Sequence, residues 1–453
     1  MKRIIFFCLF SSTLSAFSQS TPTTIITSFD HIIDSLYKPS EPGGVALVAR
    51  HNQVLYNHAF GMANMELHVK MQPDMVFEIG SMTKQFTAVC ILQLMEQGKL
   101  KLDDPINKYL TDCPAAWQPI TIEHLLTHTS GIVDEAGPQA ALTDIVKLYR
   151  DKSLASIPGT KKVYSNISYN LLGFIIEKIS GMPYPDYLQK KILSPLGMND
   201  TYYGSNERII PGRVPGYIKA KRGNGFLNSY MFITPSAAGA LISNTTDLLK
   251  WNQALISGKL IKPETLNKAW SSYQLADGKS SYYGYGWETD GTIQGSSIIE
   301  HGGVAVGYLT DAIYLPKEDI YVAVLTNQRG VLPEIVAANL AAITIGKPYH
   351  LKEIALNDDS LKAYTGVYKQ ADDTVARYIT LNNHHLYYQR AGGPKILIRP
   401  FGSDQFYFDN FSVQGKVTRD AGKRIAALEL FNMRHMNEPI NVLKRTNLPL
   451  PGN

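Results

Sequence analysis

Strand-like segments open and close a long part of this chain, and helical patterns fill the interval between them. Residues 43–50 and 53–60 are rich in β-branched and apolar side chains, and His51 and Asn52 separate them as a hairpin turn would. Strand patterns return in residues 283–287, 297–300, 310–315 and 320–326, and residues 333–345 then favour a closing helix. Since strands need partners, we expect both ends to share one antiparallel sheet, with the helical region inserted between them.

The change from strand to helical pattern falls at Ser81. From this serine onward, apolar residues recur every three or four positions between Phe86 and Met95, and Gly98 stands where a helix would end. A second helical pattern covers residues 168–180. We therefore expect Ser81 at the N-terminus of a helix.

The last part of the chain has a different pattern. From about Leu361 it becomes a series of short strand-like runs, namely residues 363–369, 377–381, 386–389 and 406–408. The turns between them use asparagine, glycine and proline, which predicts a small all-β domain, most simply an up-and-down barrel. Residues 350–359 are the expected linker. The predicted domains are therefore 19–349 and 360–449.

The first residues have the composition of an export signal. Lys2 and Arg3 precede an apolar stretch from Ile4 to Phe17, and small residues lie near its end. This pattern is typical of a secretory signal peptide, here residues 1–18. A membrane anchor is the competing interpretation, but the stretch is short and rich in hydroxyl side chains, whereas a span needs ~20 mostly apolar residues. We expect export to the periplasm or the cell exterior, with no stable membrane span after cleavage.

Composition and missing motifs exclude several function classes. The chain is 44% hydrophobic and 18% charged, as ordinary globular proteins are. Its net charge of +5 is scattered and forms no basic run interleaved with aromatics, so we expect no nucleic-acid partner. Beyond the signal only Cys90 and Cys113 remain, which gives no disulfide framework. The sequence has neither a Gly-x-Ser-x-Gly elbow nor a phosphate-binding glycine loop.

Three short segments carry chemistry when they are taken together. They are Ser81-Met82-Thr83-Lys84, Tyr164-Ser165-Asn166 and His301-Gly302-Gly303. Lys84 lies one helical turn after Ser81, so its amine and the serine hydroxyl share one face of the helix. The helix N-terminus also points unpaired N–H groups toward the surroundings of Ser81. This spacing predicts a serine nucleophile that forms a covalent acyl-enzyme.

The sequence leaves the identity of the base open. Lysine and tyrosine have reference pKa values of ~10.4 and ~10, so both are protonated at neutral pH. A cationic Lys84 would favour the phenolate of Tyr164, whereas burial would favour the neutral amine of Lys84. Either residue can therefore take the proton of Ser81.

The remaining candidates are predicted to contact the substrate. The amide of Asn166 can hold Lys84 and meet a substrate carbonyl, with a helix cap as the alternative role. His301 can supply a proton or donate to a carboxylate, with a strand-end histidine as the alternative. Gly302 and Gly303 permit close approach of the backbone to a substrate, and the N–H of Val304 is expected to join that of Ser81 in an oxyanion hole.

Six segments in this order resemble the serine β-lactamase-like hydrolases, which include class C β-lactamases, D-alanyl-D-alanine carboxypeptidases, D-aminopeptidases and esterases. They are Phe77-Glu78-Ile79-Gly80-Ser81-Met82-Thr83-Lys84, Leu125-Leu126-Thr127-His128-Thr129-Ser130-Gly131, Pro158-Gly159, Tyr164-Ser165-Asn166, Pro195-Leu196-Gly197-Met198 and His301-Gly302-Gly303. The resemblance covers roughly residues 29–346. It implies an α/β fold class of the β-lactamase/transpeptidase-like kind, with an antiparallel sheet flanked by helices and the active site between the sheet edge and the helical region.

The resemblance also implies roles for individual residues. Ser81 would be the nucleophile, Lys84 and Tyr164 the acid/base pair, and Asn166 a residue that orients the substrate. The barrel-like tail resembles lipocalin-like extensions, which cover the active-site mouth or contribute contacts in some members. No cofactor is implied.

His301 departs from the pattern of class C β-lactamases, which carry a lysine there that helps to recognise the substrate carboxylate. A neutral histidine weakens that recognition and removes a positive charge near Tyr164. We therefore expect cleavage of D-amino-acid-containing peptides, related amides or short-chain esters. A β-lactamase, or a non-catalytic protein that binds penicillins or cell-wall peptides or acts as a scaffold, is the alternative.

Two histidines have the spacing of metal ligands. His124 and His128 would share one helix face, but no acidic residue completes a His-Glu-x-x-His arrangement, so structural roles are favoured and no metal site is predicted. The expected partner is a small-molecule or peptide substrate. The oligomeric state stays open, as does the choice between pocket and core for the aromatic residues in 282–287.

Overall fold

The computed structural model describes residues 22–134, 142–220, 225–229, 233–234, 236–349, 353–371, 375–393, 395–408, 413–432, 434 and 439–450. The predicted signal peptide, residues 1–18, lies outside these residues. Across the described ranges, no helix combines the length and the apolar character needed to cross a membrane.

Eleven α-helices lie in the described part of the chain. They are α1 (Pro22–Leu36), α2 (Thr83–Glu96), α3 (Ile122–Leu126), α4 (Leu142–Tyr149), α5 (Asn166–Ser180), α6 (Tyr184–Leu188), α7 (Ser194–Leu196), α8 (Thr245–Ile256), α9 (Pro263–Ala269), α10 (Pro333–Thr344) and α11 (Asp358–Lys362). A π-helical segment, Gln189–Leu193, joins α6 to α7.

The strands of the first 350 residues are β1 (Gly44–Arg50), β2 (Gln53–Phe60), β3 (Met62–Asn64), β4 (Val69–Lys70), β5 (Phe77–Glu78), β6 (Tyr202–Tyr203), β7 (Tyr217–Lys219), β8 (Phe226–Asn228), β9 (Leu241–Ser243), β10 (Glu288–Ile293), β11 (Ser296–Ala305), β12 (Tyr308–Leu315), β13 (Ile320–Thr326) and β14 (Gln328–Arg329). Those of the last part are β15 (Gly366–Lys369), β16 (Arg377–Asn382), β17 (His385–Arg390), β18 (Lys395–Gly402), β19 (Gln405–Phe408), β20 (Val413–Arg419), β21 (Ile425–Asn432) and β22 (Asn441–Arg445).

A six-stranded sheet joins the two ends of residues 44–326, in the order β10-β11-β12-β13-β1-β2. Strand β1 pairs with β13 along its whole length, from Gly44 opposite Thr326 to Arg50 opposite Ile320. All neighbours in this sheet are antiparallel. The predicted sheet is confirmed, with the helical region between β2 and β10.

Both faces of this sheet are covered, which is why β12 and β13 are buried along their full length. Helices α1 and α10 pack on one face, where Phe29 and Leu340 lie in one apolar cluster with Val322 of β13. On the other face, Phe86 and Val89 of α2 belong to the larger cluster that also contains Ala323. Ser81 therefore lies at the junction of the sheet with the helical region.

The last part of the chain forms a closed barrel of eight strands, β15 to β22. Each strand pairs antiparallel with the next, and β15 closes the barrel against β22. Its interior is filled by buried side chains that include Tyr368, Leu386, Phe406 and Leu428. The predicted up-and-down all-β domain is confirmed, and with it the fold class of the whole chain.

One predicted strand, residues 283–287, is wrong. Only Tyr283 makes an isolated bridge there, to Glu288, and the edge strand of the sheet begins after this segment. The alternating aromatic residues suggested a strand, but the backbone turns at Tyr282 and Gly286, whose φ angles are 57° and 91°. Tyr283, Tyr285 and Trp287 instead lie in an irregular loop, and their side chains are buried.

Candidate active site

Ser81 lies in a tight turn that packs directly against strand β11. Residues Gly80–Met82 form one turn of 3₁₀ helix directly before α2. Gly80 has a φ of 51°, and a Cβ atom there would lie 2.7 Å from the backbone nitrogen of Val304. Only glycine fits at position 80 against the backbone of β11, and this close approach brings Ser81 beside the segment His301-Gly302-Gly303.

Lys84 is fully buried and points back toward Ser81, one turn away on α2. Its Nζ atom donates to Ser81 Oγ at 3.0 Å, to Asn166 Oδ1 at 2.8 Å and to the carbonyl oxygen of Ala238 at 2.8 Å. Burial lowers the pKa of Lys84 to about 7, and the carboxylate of Asp134 opposes this shift. Near neutral pH the amine therefore exists in both protonation states, as a general base requires.

Tyr164 stands at the mouth of the site, with 40% of its surface exposed. The Lys84 ammonium lies 4.8 Å from the centroid of its ring, and the imidazole of His128 packs against that ring at 4.1 Å. Partial burial raises the pKa of Tyr164, and a hydrogen bond with Ser81 acts in the opposite direction. The phenol is therefore protonated at neutral pH and can donate a proton.

Asn166 is held from two sides. Its Oδ1 accepts from Lys84, and its Nδ2 donates to Asp134 Oδ2 at 2.7 Å. Asn166 is also the first residue of α5, whose cap is Ser165, since Ser165 Oγ accepts from the backbone N–H of Ser168 at 3.2 Å. Asn166 therefore contacts Lys84, and Ser165, not Asn166, caps α5.

His301 is buried and uses both ring nitrogens. Its Nδ1 donates to the carbonyl oxygen of Gly302 at 2.6 Å, and its Nε2 accepts from the hydroxyl of Tyr283 at 3.0 Å. Burial lowers the pKa of His301 to about 4, although the carboxylate of Glu288 opposes this shift. The ring is therefore neutral at pH 7, and in this arrangement neither nitrogen is left to donate to a substrate.

The two glycines after His301 differ in their surroundings. A Cβ atom on Gly303 would lie 2.0 Å from the carbonyl oxygen of Ile79, whereas one on Gly302 would meet nothing closer than 3.5 Å. Gly303 is thus required by the packing of β11 against the turn that carries Ser81. Val304 follows and is 58% exposed, and its backbone nitrogen lies beside Gly80.

A cavity of about 730 Å³ connects these groups. Its lining includes Ser81, Tyr164, Asn166, His301, Gly302, Gly303 and Val304. Asn432 and Arg434 of the barrel also line it. The structure therefore gathers the predicted site residues around one cavity, Lys84 lying behind Ser81, and the barrel contributes to its wall.

Arg434 connects the barrel to the back of β11. Its guanidinium makes ion pairs with Glu300 and Asp311, the latter at 2.7 Å, and donates to the carbonyl oxygen of Glu334 at 2.6 Å. The backbone oxygen of Arg434 also accepts from the N–H of Thr292 at 2.6 Å. The side chains of all three ion-paired residues are 5% exposed or less. The two ion pairs join residues 123 and 134 positions apart, and no sequence pattern indicates them.

The two histidines with metal-ligand spacing make structural hydrogen bonds. His124 Nδ1 accepts from the N–H of Thr121, which closes a capping box on α3. His128 Nδ1 accepts from the N–H of Ser165 at 3.0 Å. The described residues contain no cluster of three or more histidine, cysteine or acidic side chains that would hold a metal ion.

The sequence and the fold of this chain are similar to those of known proteins. The sequence profile of the Beta-lactamase family matches residues 29–346. Penicillin-binding protein 4* of Bacillus subtilis is 29% identical over 433 residues, which are 88% of this chain and 95% of that protein. The D-alanyl-D-alanine-carboxypeptidase/endopeptidase AmpH of Escherichia coli is 28% identical over 64% of this chain and 81% of its own. An octameric penicillin-binding protein homologue from Pyrococcus abyssi superimposes with a TM-score of 0.67 at 27% identity, covering 93% of this chain and all of that one.

Proposed function

The chain belongs to the Beta-lactamase family of serine hydrolases, and we propose that it forms a covalent acyl-enzyme on Ser81 and cleaves D-amino-acid-containing peptides, related amides or short-chain esters. The observation that carries the proposal is the buried amine of Lys84, 3.0 Å from Ser81 Oγ and with a pKa of about 7. A serine hydroxyl is a weak nucleophile until a neighbouring base accepts its proton.

The geometry supports a sequence of proton transfers. Ser81 Oγ attacks the substrate carbonyl carbon, and its proton passes to the neutral amine of Lys84. The backbone N–H groups of Ser81 and Val304 stabilise the oxyanion, a contact worth ~10²–10³ in rate per donor. When the bond to the leaving group breaks, the hydroxyl of Tyr164 gives its proton to the departing nitrogen or oxygen and regains one from the Lys84 ammonium. Water then releases the acyl group by the reverse transfers.

The charges in the cavity favour substrates that need no ion pair. Among the described residues of its lining, Arg434 is the one with a permanent positive charge, and Glu300 and Asp311 already hold it. His301 is neutral at pH 7 because burial lowers its pKa to about 4. A substrate carboxylate would therefore gain little from this wall, which favours amides and esters over penicillins. The similarity to a D-alanyl-D-alanine carboxypeptidase/endopeptidase supports D-amino-acid substrates, and the charges of the cavity favour those whose scissile bond lies away from a free carboxylate.

Export is part of the proposal. Residues 1–18 have the charged start, apolar middle and small end of a signal peptide, which supports a periplasmic or extracellular location. Such a location would give the enzyme access to peptides built from D-amino acids outside the cell. The proposed partner is the substrate alone, a small molecule or peptide, with neither nucleic acid nor a membrane anchor.

Active-site labelling tests the nucleophile. The mature protein is incubated with a fluorophosphonate and, separately, with a fluorescent penicillin, and intact mass is measured for wild type, Ser81→Ala and Ser236→Ala. Ser236 is the matched control because it lines the same cavity but donates its hydroxyl to Asn170 at 2.7 Å. We expect one adduct in wild type and in Ser236→Ala, and none in Ser81→Ala. A wild-type protein that is folded but forms no adduct with either probe would contradict the proposal.

Turnover then tests the substrate class. We expect a D-alanyl anilide or a short-chain phenyl ester to be cleaved with a higher kcat/KM than the cephalosporin nitrocefin. Efficient nitrocefin turnover would make the protein a β-lactamase. A penicillin adduct that persists for hours without product from any substrate would make it a binding protein.

A further inference from the structure

We propose that Asp134 is a positioning residue of this site, which fixes the amide of Asn166 so that its oxygen, and not its nitrogen, faces Lys84. Asp134 lies on neither of the segments that carry Tyr164 and Lys84. Its carboxylate nevertheless accepts four hydrogen bonds from residues 165–167. The inference rests on the proposed role of Lys84 as base and deepens it.

The donor pattern allows only one orientation of the amide. An ionised carboxylate accepts hydrogen bonds and donates none. Asp134 Oδ2 lies 2.7 Å from Asn166 Nδ2, so the amide oxygen is turned to Lys84 Nζ at 2.8 Å. A flipped amide would set its oxygen against the carboxylate and its NH₂ group against the Lys84 ammonium. Both contacts would be repulsive, so Asp134 selects the orientation that holds the amine.

The same carboxylate fixes the backbone after Tyr164. Asp134 accepts from the N–H of Asn166 at 2.8 Å and of Ile167 at 3.1 Å, and from Ser165 Oγ at 3.1 Å. These groups form the first turn of α5, which has no acidic residue of its own there. An anion at this end of a helix is stabilised by the unpaired N–H groups and the helix dipole. Asp134 therefore sets where the turn with Tyr164 and Asn166 lies.

The charge of Asp134 also acts on Lys84. The titratable groups that face the buried amine are Asp134, Tyr164, Tyr169, His128 and His301. Tyrosine is neutral at pH 7, and burial lowers the pKa of both histidines, so Asp134 supplies the negative charge. It opposes the effect of burial, which lowers the pKa of Lys84 to about 7. Without the carboxylate this pKa falls further, and the amine stays neutral at lower pH.

The alternative role for Asp134 is a helix cap with no influence on the chemistry. The pH dependence of Ser81 labelling and a double-variant comparison distinguish the two roles. The rate constant for fluorophosphonate labelling of Ser81 is measured from pH 5 to pH 9 in wild type, Asp134→Asn, Asn166→Ala and the double variant. Labelling needs no knowledge of the natural substrate, and an unlabelled wild-type protein would refute the proposed function before this question arises.

We expect Asp134→Asn to lower the rate constant about 10–100-fold at pH 7, the size of loss that a misplaced group near the reacting atoms produces. The inflection on the acid side should move to lower pH. The positioning effect passes through Asn166, so the double variant should react at about the rate of Asn166→Ala. The charge acts on Lys84 directly, so the inflection should move to lower pH in the double variant as well. Losses that multiply in the double variant would overturn the positioning role, and an unchanged inflection in Asp134→Asn would overturn the charge effect.

A matched cap elsewhere controls for stability. Asn244 caps α8 by accepting from the N–H of Asp247 at 2.8 Å and does not line the cavity. Asn244→Ala should lower Tm and leave the pH profile unchanged. If Asp134→Asn does not fold, Asp134→Glu retains the anion and displaces it. It should keep an acid inflection near that of wild type at a reduced rate, and an inflection shifted to lower pH would overturn the charge argument.

Discussion

The two ends of the cavity differ in how a buried cationic side chain is held. At the Ser81 end, the buried Lys84 ammonium donates to uncharged acceptors, and the carboxylate of Asp134 is connected to it through Asn166. At the barrel end, the buried cation Arg434 is paired directly with Glu300 and Asp311. Burial lowers the pKa of both groups: to about 7 for Lys84, which can exchange a proton near neutral pH, but only to about 9 for Arg434, which stays charged. The first end is suited to chemistry and the second to holding two domains together.

The largest expected effect concerns the proton exchange at the first end. Lys84→Met retains most of the side-chain volume and removes the amine. We expect the rate constant for labelling of Ser81 to fall about 10²–10⁴-fold, the usual contribution of a general base. Lys250→Met is the control, since Lys250 pairs with Asp247 away from the cavity. Equal labelling rate constants for Lys84→Met and Lys250→Met would show that Lys84 does not act as the base.

The next effect concerns the stability of the second end. Arg434→Met leaves Glu300 and Asp311 buried without their partner, which costs about 3–5 kcal/mol of unfolding free energy. Urea denaturation measures this loss. Arg424→Met is the control because the side chain of Arg424 is 83% exposed in its pair with Asp420, and exposed pairs contribute about 0–1 kcal/mol. A triple variant that also carries Glu300→Gln and Asp311→Asn should recover most of the stability, and no recovery would show that the ion pairs are not the cause.

The smallest effect concerns specificity between the two ends. His301→Lys introduces a cation beside the cavity, and a hydrogen bond to a charged group contributes about 1.5–3 kcal/mol. We expect the rate of acylation by a penicillin, divided by that by a neutral fluorophosphonate, to rise about 10-fold. His301→Gln is the neutral control and should leave the ratio unchanged. The same ratio in both variants would show that charge at this position does not select the substrate.

Local spacing was sufficient to predict the contact between Ser81 and Lys84, whereas Tyr164 and Asn166 were placed in the site by the family resemblance. Ser81 and Lys84 are three residues apart at a helix start, so their contact follows from helix geometry alone. The antiparallel sheet and the barrel were also predictable, since the strand patterns and the turns between them are local signals. The segment 283–287 was not, because its alternating aromatic residues look like a strand while Tyr282 and Gly286 turn the backbone.

The contacts that tune the site come from residues distant in sequence. Asp134 is 32 positions from Asn166, and the carbonyl of Ala238 is 154 positions from Lys84. Arg434 reaches Asp311 across 123 positions. An aspartate in a loop or an arginine in a barrel turn has no pattern that distinguishes it from a solvated surface residue. The choice between Lys84 and Tyr164 as base depended on burial in the same way, and only the fold supplies that.

The pH dependence of Ser81 acylation tests the central claim, that a buried amine activates this serine. The rate constant for fluorophosphonate labelling is measured from pH 5 to pH 9 in wild-type protein that is shown to be folded throughout. Only the neutral amine accepts a proton, so the rate should rise with pH through an inflection near 7, the pKa of Lys84. The inflection should be absent in Lys84→Met. A rate that shows no inflection near 7 in wild type, or the same inflection in both proteins, would contradict the claim.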